Sequence, residues 1–535
     1  MSVTYNLAQL QKEHITMELE CIDRMYLNGY IPKLTNEAGI AAFLRFHLGH
    51  RFASTKQAAP MTDAFIKSVR QFIQSEGVEL VRFKKGQRKD DVMQTYLRRF
   101  KKTEGILFVG VAQEKLRVPR TTRRATATGG TMPWIMYSTA MVNVFYFYGR
   151  DQDFGPFFIK FGSYFPYPIK LCLNGHEYLK CQLAQRGLDF EPMDNGLLSC
   201  PNIKAAQAIC DGLSAAKIDA FFRKWLARLP HPYSPKDRKA GYRYELSILQ
   251  AEFSLTQVWD NANQGRAFFE EVIRENIDLG RPEQVQLIFA RRMQRKTATD
   301  GRCRTRIITE GVMPSLHVYY KNTHLKQYYK LSRGLRTETT INDTYDFDVG
   351  RRLHNLPKLR EIGFAANHRV LQVEQLSHDC QIGAQAFEKL QTPAEVDGQH
   401  VSALPFGQRR VQALFMALVL FCLQPRGFRN CQLRPLLAQL LAISESQITP
   451  GRISYDLRRL RLHGLIERIP KSHRYRLTTT GLKTALLYSR VYQRLLRRGL
   501  SELLDQRLLQ SSPLLGHFTK FHQALDNFAA QKLAA

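Results

Sequence analysis

Thr449-Pro450 and Gly464 bracket the stretch that most restricts what this chain can fold into. A threonine caps a helix, and proline suits the first helical position, where an N–H has no intrahelical partner. Between these signals Ile453, Leu457 and Leu460 recur at four and three residues and mark a buried stripe. Gly464 supplies the left-handed residue that ends the helix. Leu465–Ile469 and Arg474–Leu477 then read as two strands around the tip Pro470-Lys471-Ser472-His473. Upstream, Val411–Leu423 and Leu433–Leu441 predict two helices, and Thr480-Gly481 opens a last one. Three helices and a two-stranded hairpin predict a winged helix-turn-helix over residues 408–490.

On the third helix Arg452, Tyr455, Arg458 and Arg459 fall off the apolar stripe, where a DNA groove could receive them. Lys471, His473 and Arg474 belong to the wing and would reach phosphates. The string LRRLRLHGLIERIPKSHRYRLTTTGL resembles the recognition-helix-to-wing segment of bacterial winged-helix regulators. A winged helix used only for protein contacts is the alternative. The four arginines between Arg452 and Arg461 weigh toward DNA.

Charge points the same way. Lys and Arg number 78 against 47 Asp and Glu, a formal balance of +31. Such a surface attracts polyanions, nucleic acid first, with anionic membranes and acidic proteins as rivals. DNA is the expected partner and RNA the second; a membrane is not expected, because no run reaches the 18 or so uncharged apolar residues of a span. The start of the chain lacks a basic segment followed by an apolar one, and the nine cysteines are scattered without a C-x-x-C pair. Both features predict a soluble cytoplasmic protein with reduced thiols.

The chain length predicts three or four domains in a multidomain α/β protein. Residues 1–76 read as a helical N-terminus, with helices at Leu7–Asn28, Glu37–Phe46 and Thr62–Gln74. Residues 77–230 read as an α/β domain that opens with a β-α-β unit, formed by Val78–Phe83, Asp91–Lys101 and Gly105–Ala112. Arg117–Gly130, with Arg120, Arg123 and Arg124, reads as a mobile linker or a phosphate-contacting arm. Strands follow at Ala140–Tyr148, Phe157–Phe161 and Ile169–Leu173, then helices at Glu177–Arg186 and Ala215–Leu229. Pro230–Gly241 reads as a linker, 242–375 as a second α/β domain with strands at Leu316–Lys321, Gln327–Leu331 and Gly334–Ile341, 376–407 as a linker and 491–535 as a helical tail.

Several long blocks, FKKGQRKDD (83–91), FVGVAQEK (108–115), FYFYGRDQDFGPFFIKF (145–161), LCLNGHEYLKCQL (171–183) and GLRTETTINDTYDF (334–347), stand in an order and spacing that carry a family resemblance. With the C-terminal segment they resemble a widespread family of uncharacterised basic bacterial and archaeal proteins. The resemblance spans most of residues 70–490 and implies one continuous protein; it implies no activity. Where that pattern would have Tyr-Asp-Lys, this chain has Tyr319-Tyr320-Lys321, one carboxylate fewer.

Several constellations could carry chemistry. Asp151 and Asp153 follow an apolar strand and could share Mg²⁺, with His176 and Glu177 completing the site; the bland alternative is a loop whose carboxylates bond local amides. Asp90 or Asp91 with Gln113 and Lys115 is similar to restriction-type nuclease sites, or is structural salt bridging. Alternation along GLRTETT places Arg336, Glu338 and Thr340 on one sheet face, and Lys321, Arg336 and Glu338 resemble a Lys, Arg and Glu cluster of some plasmid and phage replication initiators. The histidine pair of those enzymes is not evident; His47 and His50, on a helix, read as packing or surface residues. No phosphate-binding glycine loop argues for ATP or NAD. The expectation is therefore a sequence-selective DNA-binding protein, plausibly of a mobile or plasmid-like element. The alternatives are a metal-dependent DNA-cleaving, strand-transfer or replication-initiation enzyme, a repressor, or an RNA-binding or RNA-guided factor.

Overall fold

Period-two burial starts earlier in the chain than local propensity suggests. Met17, Leu19 and Cys21, then Met25 and Leu27 past an irregularity, are buried, while Arg24, Tyr26 and Asn28 between them are half-buried. That is a strand covered more deeply on one face than the other. The computed structural model describes residues 7–276 and 304–492, apart from 85, 126–128, 309–314, 321, 332, 379–381 and 422–426, with isolated positions beyond 515. Lys321 and nearly all of the tail 491–535 lie outside the described residues.

The protein is mixed α/β. Its strands are β1 (Ile15–Tyr30), β2 (Glu79–Arg82), β3 (Gly105–Ala125), β4 (Thr131–Asp151), β5 (Gly155–Gly162), β6 (Ile169–Asn174), β7 (Glu191–Met193), β8 (Gly196–Ser199), β9 (Glu245–Trp259), β10 (Arg304–Ile308), β11 (Ser315–Tyr320), β12 (Thr323–Lys330) and β13 (Gly334–Ile341). Eleven of them form one sheet in the order β10-β11-β12-β13-β9-β1-β6-β5-β4-β3-β2. Its pairs are antiparallel except β2 with β3, which are parallel and joined by the helix Lys89–Arg99, the expected β-α-β unit. One face packs Leu27, Ile159, Phe161, Ile169 and Leu171 against Phe65, Val69, Phe222 and Trp225 of the helices Ala59–Glu76 and Ala215–Arg228.

Four expectations are corrected. The predicted helix Leu7–Asn28 stops at His14, and β1 takes over; its apolar spacing fits both periods, and pairing on both sides, with β6 and β9, decides for strand. The N-terminus is thus not simply helical. The segment 117–130 is not a linker where it is described: Arg120, Arg123 and Arg124 lie on β3, opposite Met136, Pro133 and Met132 of β4. Pro230–Gly241 is no spacer, because Tyr233 is buried and the short helix Pro235–Lys239 is closed by a Ser234–Asp237 capping box. The three regions 1–76, 77–230 and 242–375 all contribute strands to the same sheet.

The chain divides into two compact units: one of Leu10–Phe268 and Gln284–Asn367, and one of Met1–Gln9, Phe269–Glu283 and His368–Ala535. The second unit contains the helices Arg409–Phe421, Asn430–Leu441, Pro450–Leu462 and Thr479–Arg490 and a hairpin of Ile466–Arg468 with Tyr475–Leu477. Thr449 caps the third of these helices by accepting from the Arg452 amide, and Ile453, Leu457 and Leu460 are buried with Leu414, Leu437 and Leu482. Within 376–407, the helix Ala384–Gln391 and a short hairpin replace the predicted linker. Among the described residues no helix is long and apolar enough to cross a membrane.

Candidate metal centre

Charged side chains in the middle of a sheet need a reason, and this sheet has a cluster of them. A register irregularity in β1 between Ile22 and Met25 interrupts the alternation and places Asp23 in the interior. On β13, Arg336 and Glu338 share a face, as alternation predicts. Arg336 is fully buried and donates through Nη2 to Asp23 and through Nη1 to the Asn195 carbonyl. Asn195 is in the left-handed region at the β7–β8 turn, which asparagine tolerates, and its side chain donates to the other Asp23 oxygen.

His176, buried at the start of the helix Gly175–Gln185, sets its Nε2 2.7 Å from Arg336 Nη2 and 2.9 Å from Ser254 Oγ. Arginine only donates, so this Nε2 accepts, and a neutral ring then carries its proton on Nδ1. Nδ1 has no partner among the described residues.

Around that anchor three carboxylates converge. Asp23 of β1, Glu252 of β9 and Glu338 of β13 place oxygens within 4.8 Å of one another, and among the described residues they are the one group of three or more acidic, histidine or cysteine side chains that close. Burial disfavours ionisation of all three. For Asp23 burial is the largest single influence, but Arg336, His176, the Asn195 hydrogen bond and Arg24 together outweigh it and hold the carboxyl low, at about 2. Glu252 is relieved only in part by Arg24 and a hydrogen bond from Gln250: burial, then Glu338 and Asp23, push it up to about 8. Glu338 is raised as well, by burial and then by Asp23, although Arg336 Nε stands 3.6 Å away and Tyr328 donates to it at 3.2 Å. A divalent cation would remove this repulsion. Oxygens around an ion with bonds of about 2.1 Å lie roughly 3 to 4 Å apart, so small rotations would close the group on Mg²⁺ or Mn²⁺, which favour carboxylates.

The same face is basic on both sides of the carboxylates. Lys326 sits opposite Glu338, and Arg24 is close enough to Glu252 and Asp23 for each to favour its charge. Further along, Lys160 of β5 faces Lys170 of β6 directly. Like charges so placed repel; burial and then Lys160 depress the Lys170 pKa. Glu114 offsets them, 2.7 Å from Lys160 and 3.6 Å from Lys89, with Tyr146 donating to it as well.

The other predicted site residues are distributed differently. Asp151 is buried; one oxygen accepts from Lys224 and the Trp225 indole, each at 2.8 Å, and the other from the amides of Asp153 and Phe154. Asp153 is exposed and bonded to Gln185, and Glu177 pairs with Lys180. The structure brings these three carboxylates into no metal-sized group, and of that constellation only His176 reaches the centre described above. Gln113 and Lys115 alternate with Glu114 and so lie on the opposite face of β3 from it; both are exposed, as are Asp90 and Asp91. His47 bonds Asp237 at 2.6 Å and stacks on Phe43, a packing role. His317 and His324 meet across β11 and β12 at 2.8 Å, a histidine pair that nothing in their spacing announced.

In the second unit Arg452, Tyr455, Lys471 and His473 are exposed, and Arg458 is half-exposed, donating to Gln399 at 3.1 Å. Arg459 and Arg474 are buried instead. Arg459 donates to the carbonyls of Ser402 and Ala403 and lies 3.6 Å from Asp456; Arg474 reaches the Gly427 carbonyl. Helical spacing set Arg459 outside the stripe, but the segment around Ser402 covers that flank. Arg461 is exposed and extends the basic surface.

Sequence reasoning missed Asp23 because it took β1 for a helix, and missed Glu252 because β9 was not singled out. Alternation in Leu246, Ile248, then Ala251 and Phe253 could have found the latter. Compared with protein-family models, curated proteins and solved structures, the chain matches none.

Proposed function

We propose that this protein binds DNA and acts on its phosphodiester backbone with a divalent cation held by Asp23, Glu252 and Glu338. The observation that carries this reading is the convergence of the three carboxylates in a basic sheet face, where burial and the neighbouring carboxylates raise the Glu252 carboxyl well above its ordinary range. Arg336 would orient Asp23, and Lys326 and Arg24 would hold phosphate oxygens beside the ion. A cation in that position would polarise the scissile phosphate and activate water.

The test has two readouts. Mn²⁺ titrated into the full chain and followed by electron spin resonance should bind near one equivalent, and Glu252→Gln should abolish that binding. Supercoiled plasmid with Mg²⁺ or Mn²⁺, against an EDTA control, should show metal-dependent nicking that the same variant loses. Wild-type Mn²⁺ affinity in folded Glu252→Gln would sink the reading.

We also propose that residues 408–490 form a winged helix-turn-helix that selects the DNA sequence. The capped helix Pro450–Leu462 with exposed Arg452, Tyr455 and Arg461, followed by a hairpin carrying Lys471 and His473, favours this reading. Selection of one sequence from a random duplex pool, lost on Arg452→Ala, is the result expected.

A further inference from the structure

From Lys115 to Arg150 the chain contains no aspartate or glutamate, yet it contains Arg117, Arg120, Arg123 and Arg124. β3 and β4 pair from Gly105↔Arg150 to Ala125↔Thr131 as an antiparallel ribbon. One side of the ribbon is anchored: Ile135 is buried in the core, and Thr121, opposite it, bonds the Thr55 amide at 2.8 Å. Among the described residues nothing covers the other side. Arg120, Thr122 and Arg124 face Met136, Trp134 and Met132 across the two strands, so all six share one face.

Every described residue from Thr122 to Trp134 is exposed. Three large apolar side chains on one small face are unusual in water: Met132 is 40% exposed, Trp134 40% and Met136 52%. Arg124 lies over the Trp134 ring at 4.9 Å, which keeps guanidinium and indole together at the surface.

We infer that this outward face of the β3–β4 ribbon is a duplex-DNA contact, inserted in the major groove. This rests on the reading that the protein binds DNA. The arginines meet the phosphates, and Trp134 with its neighbouring methionines meets base edges and thymine methyls. Two strands about 4.8 Å apart fit a groove about 12 Å wide, whereas the deep, narrow major groove of duplex RNA admits no ribbon. An acidic protein could satisfy the arginines but would not require the ribbon shape.

Trp134 makes the inference measurable. The chain has three tryptophans, and the other two, Trp225 and Trp259, are 2% and 0% exposed. Acrylamide quenching of intrinsic fluorescence in the full-length protein therefore reports chiefly on Trp134. Binding is measured separately, by anisotropy of a labelled short duplex. Bound duplex should cut the quenching constant about twofold, and Arg120→Gln with Arg124→Gln should weaken duplex binding about tenfold while circular dichroism stays unchanged.

Duplex bound without shielding Trp134 overturns the inference, and so does the absence of any duplex binding. Equal shielding by double-stranded RNA overturns the groove assignment. Shielding that grows with protein concentration alone marks the face as a self-association surface and overturns it too. Glu252→Gln should keep the Trp134 response, so failure of the metal centre and failure of the ribbon are told apart.

Discussion

Arg336 on β13 donates to the carboxylate of Asp23 on β1, a residue 313 positions earlier in the chain, and the pair is buried among Asn195, His176 and Glu338. Removing one partner leaves an unpaired charge in the interior. Arg336→Ala should therefore destabilise the unit by about 3 to 5 kcal/mol, read by urea denaturation. Arg336→Lys should recover part of this, because an ammonium keeps the charge but cannot serve Asp23 and Asn195 with one planar fork.

Stability should depend on pH and on divalent cation together. Glu252 titrates near 8 in the folded protein, above the ordinary range it recovers on unfolding, so the folded state binds its proton more tightly. The resulting contribution is fully present below the unfolded pKa and is lost as pH rises through about 8. Without divalent cation the melting temperature should fall from pH 6 to pH 9. Mn²⁺ should offset the fall, most at the alkaline end where no proton competes. Glu252→Gln should flatten the dependence and remove the Mn²⁺ effect; an unchanged slope in that variant would assign the titration elsewhere.

Asp151 and Asp153 should behave oppositely. Asp151→Asn turns one of its two acceptor oxygens into a donor, facing either Lys224 and the Trp225 indole or the Asp153 and Phe154 amides, and should cost on the order of 2 kcal/mol in thermal or urea unfolding. Asp153→Asn should leave stability, Mn²⁺ binding and plasmid nicking as in wild type, since its carboxylate is exposed and bonded to Gln185. Loss of nicking in a folded Asp153→Asn variant would move the chemistry to that loop.

Two arginines of one helix should separate stability from binding. Arg459→Ala strips the donors from the Ser402 and Ala403 carbonyls and should lower stability by about 2 kcal/mol. Arg452→Ala, at the exposed start of the helix, should leave unfolding unchanged and weaken duplex affinity by about 1 to 3 kcal/mol. Equal affinity in Arg452→Ala and wild type, measured at one salt concentration, would remove this helix from the DNA contact.

The sequence by itself determined what depends on near neighbours. The Thr449-Pro450 cap, the Ile453, Leu457 and Leu460 stripe and the hairpin return at Tyr475 all stand in the second unit where spacing predicted them. In the other unit, the β-α-β unit of β2 and β3 and the shared face of Arg336 and Glu338 also stand where spacing predicted them. Only the tertiary structure decided the rest. Met17, Leu19, Ile22 and Met25 satisfy helical and strand periods alike, and β1 is a strand because β6 and β9 offer hydrogen bonds on both sides. Arg459 is exposed by helical spacing and buried by a segment more than fifty residues away. The carboxylate centre was beyond any local reading, because Asp23, Glu252 and Glu338 meet only when β1, β9 and β13 lie side by side. Strand pairing is set by global burial, and no short window of sequence encodes which strands will be neighbours.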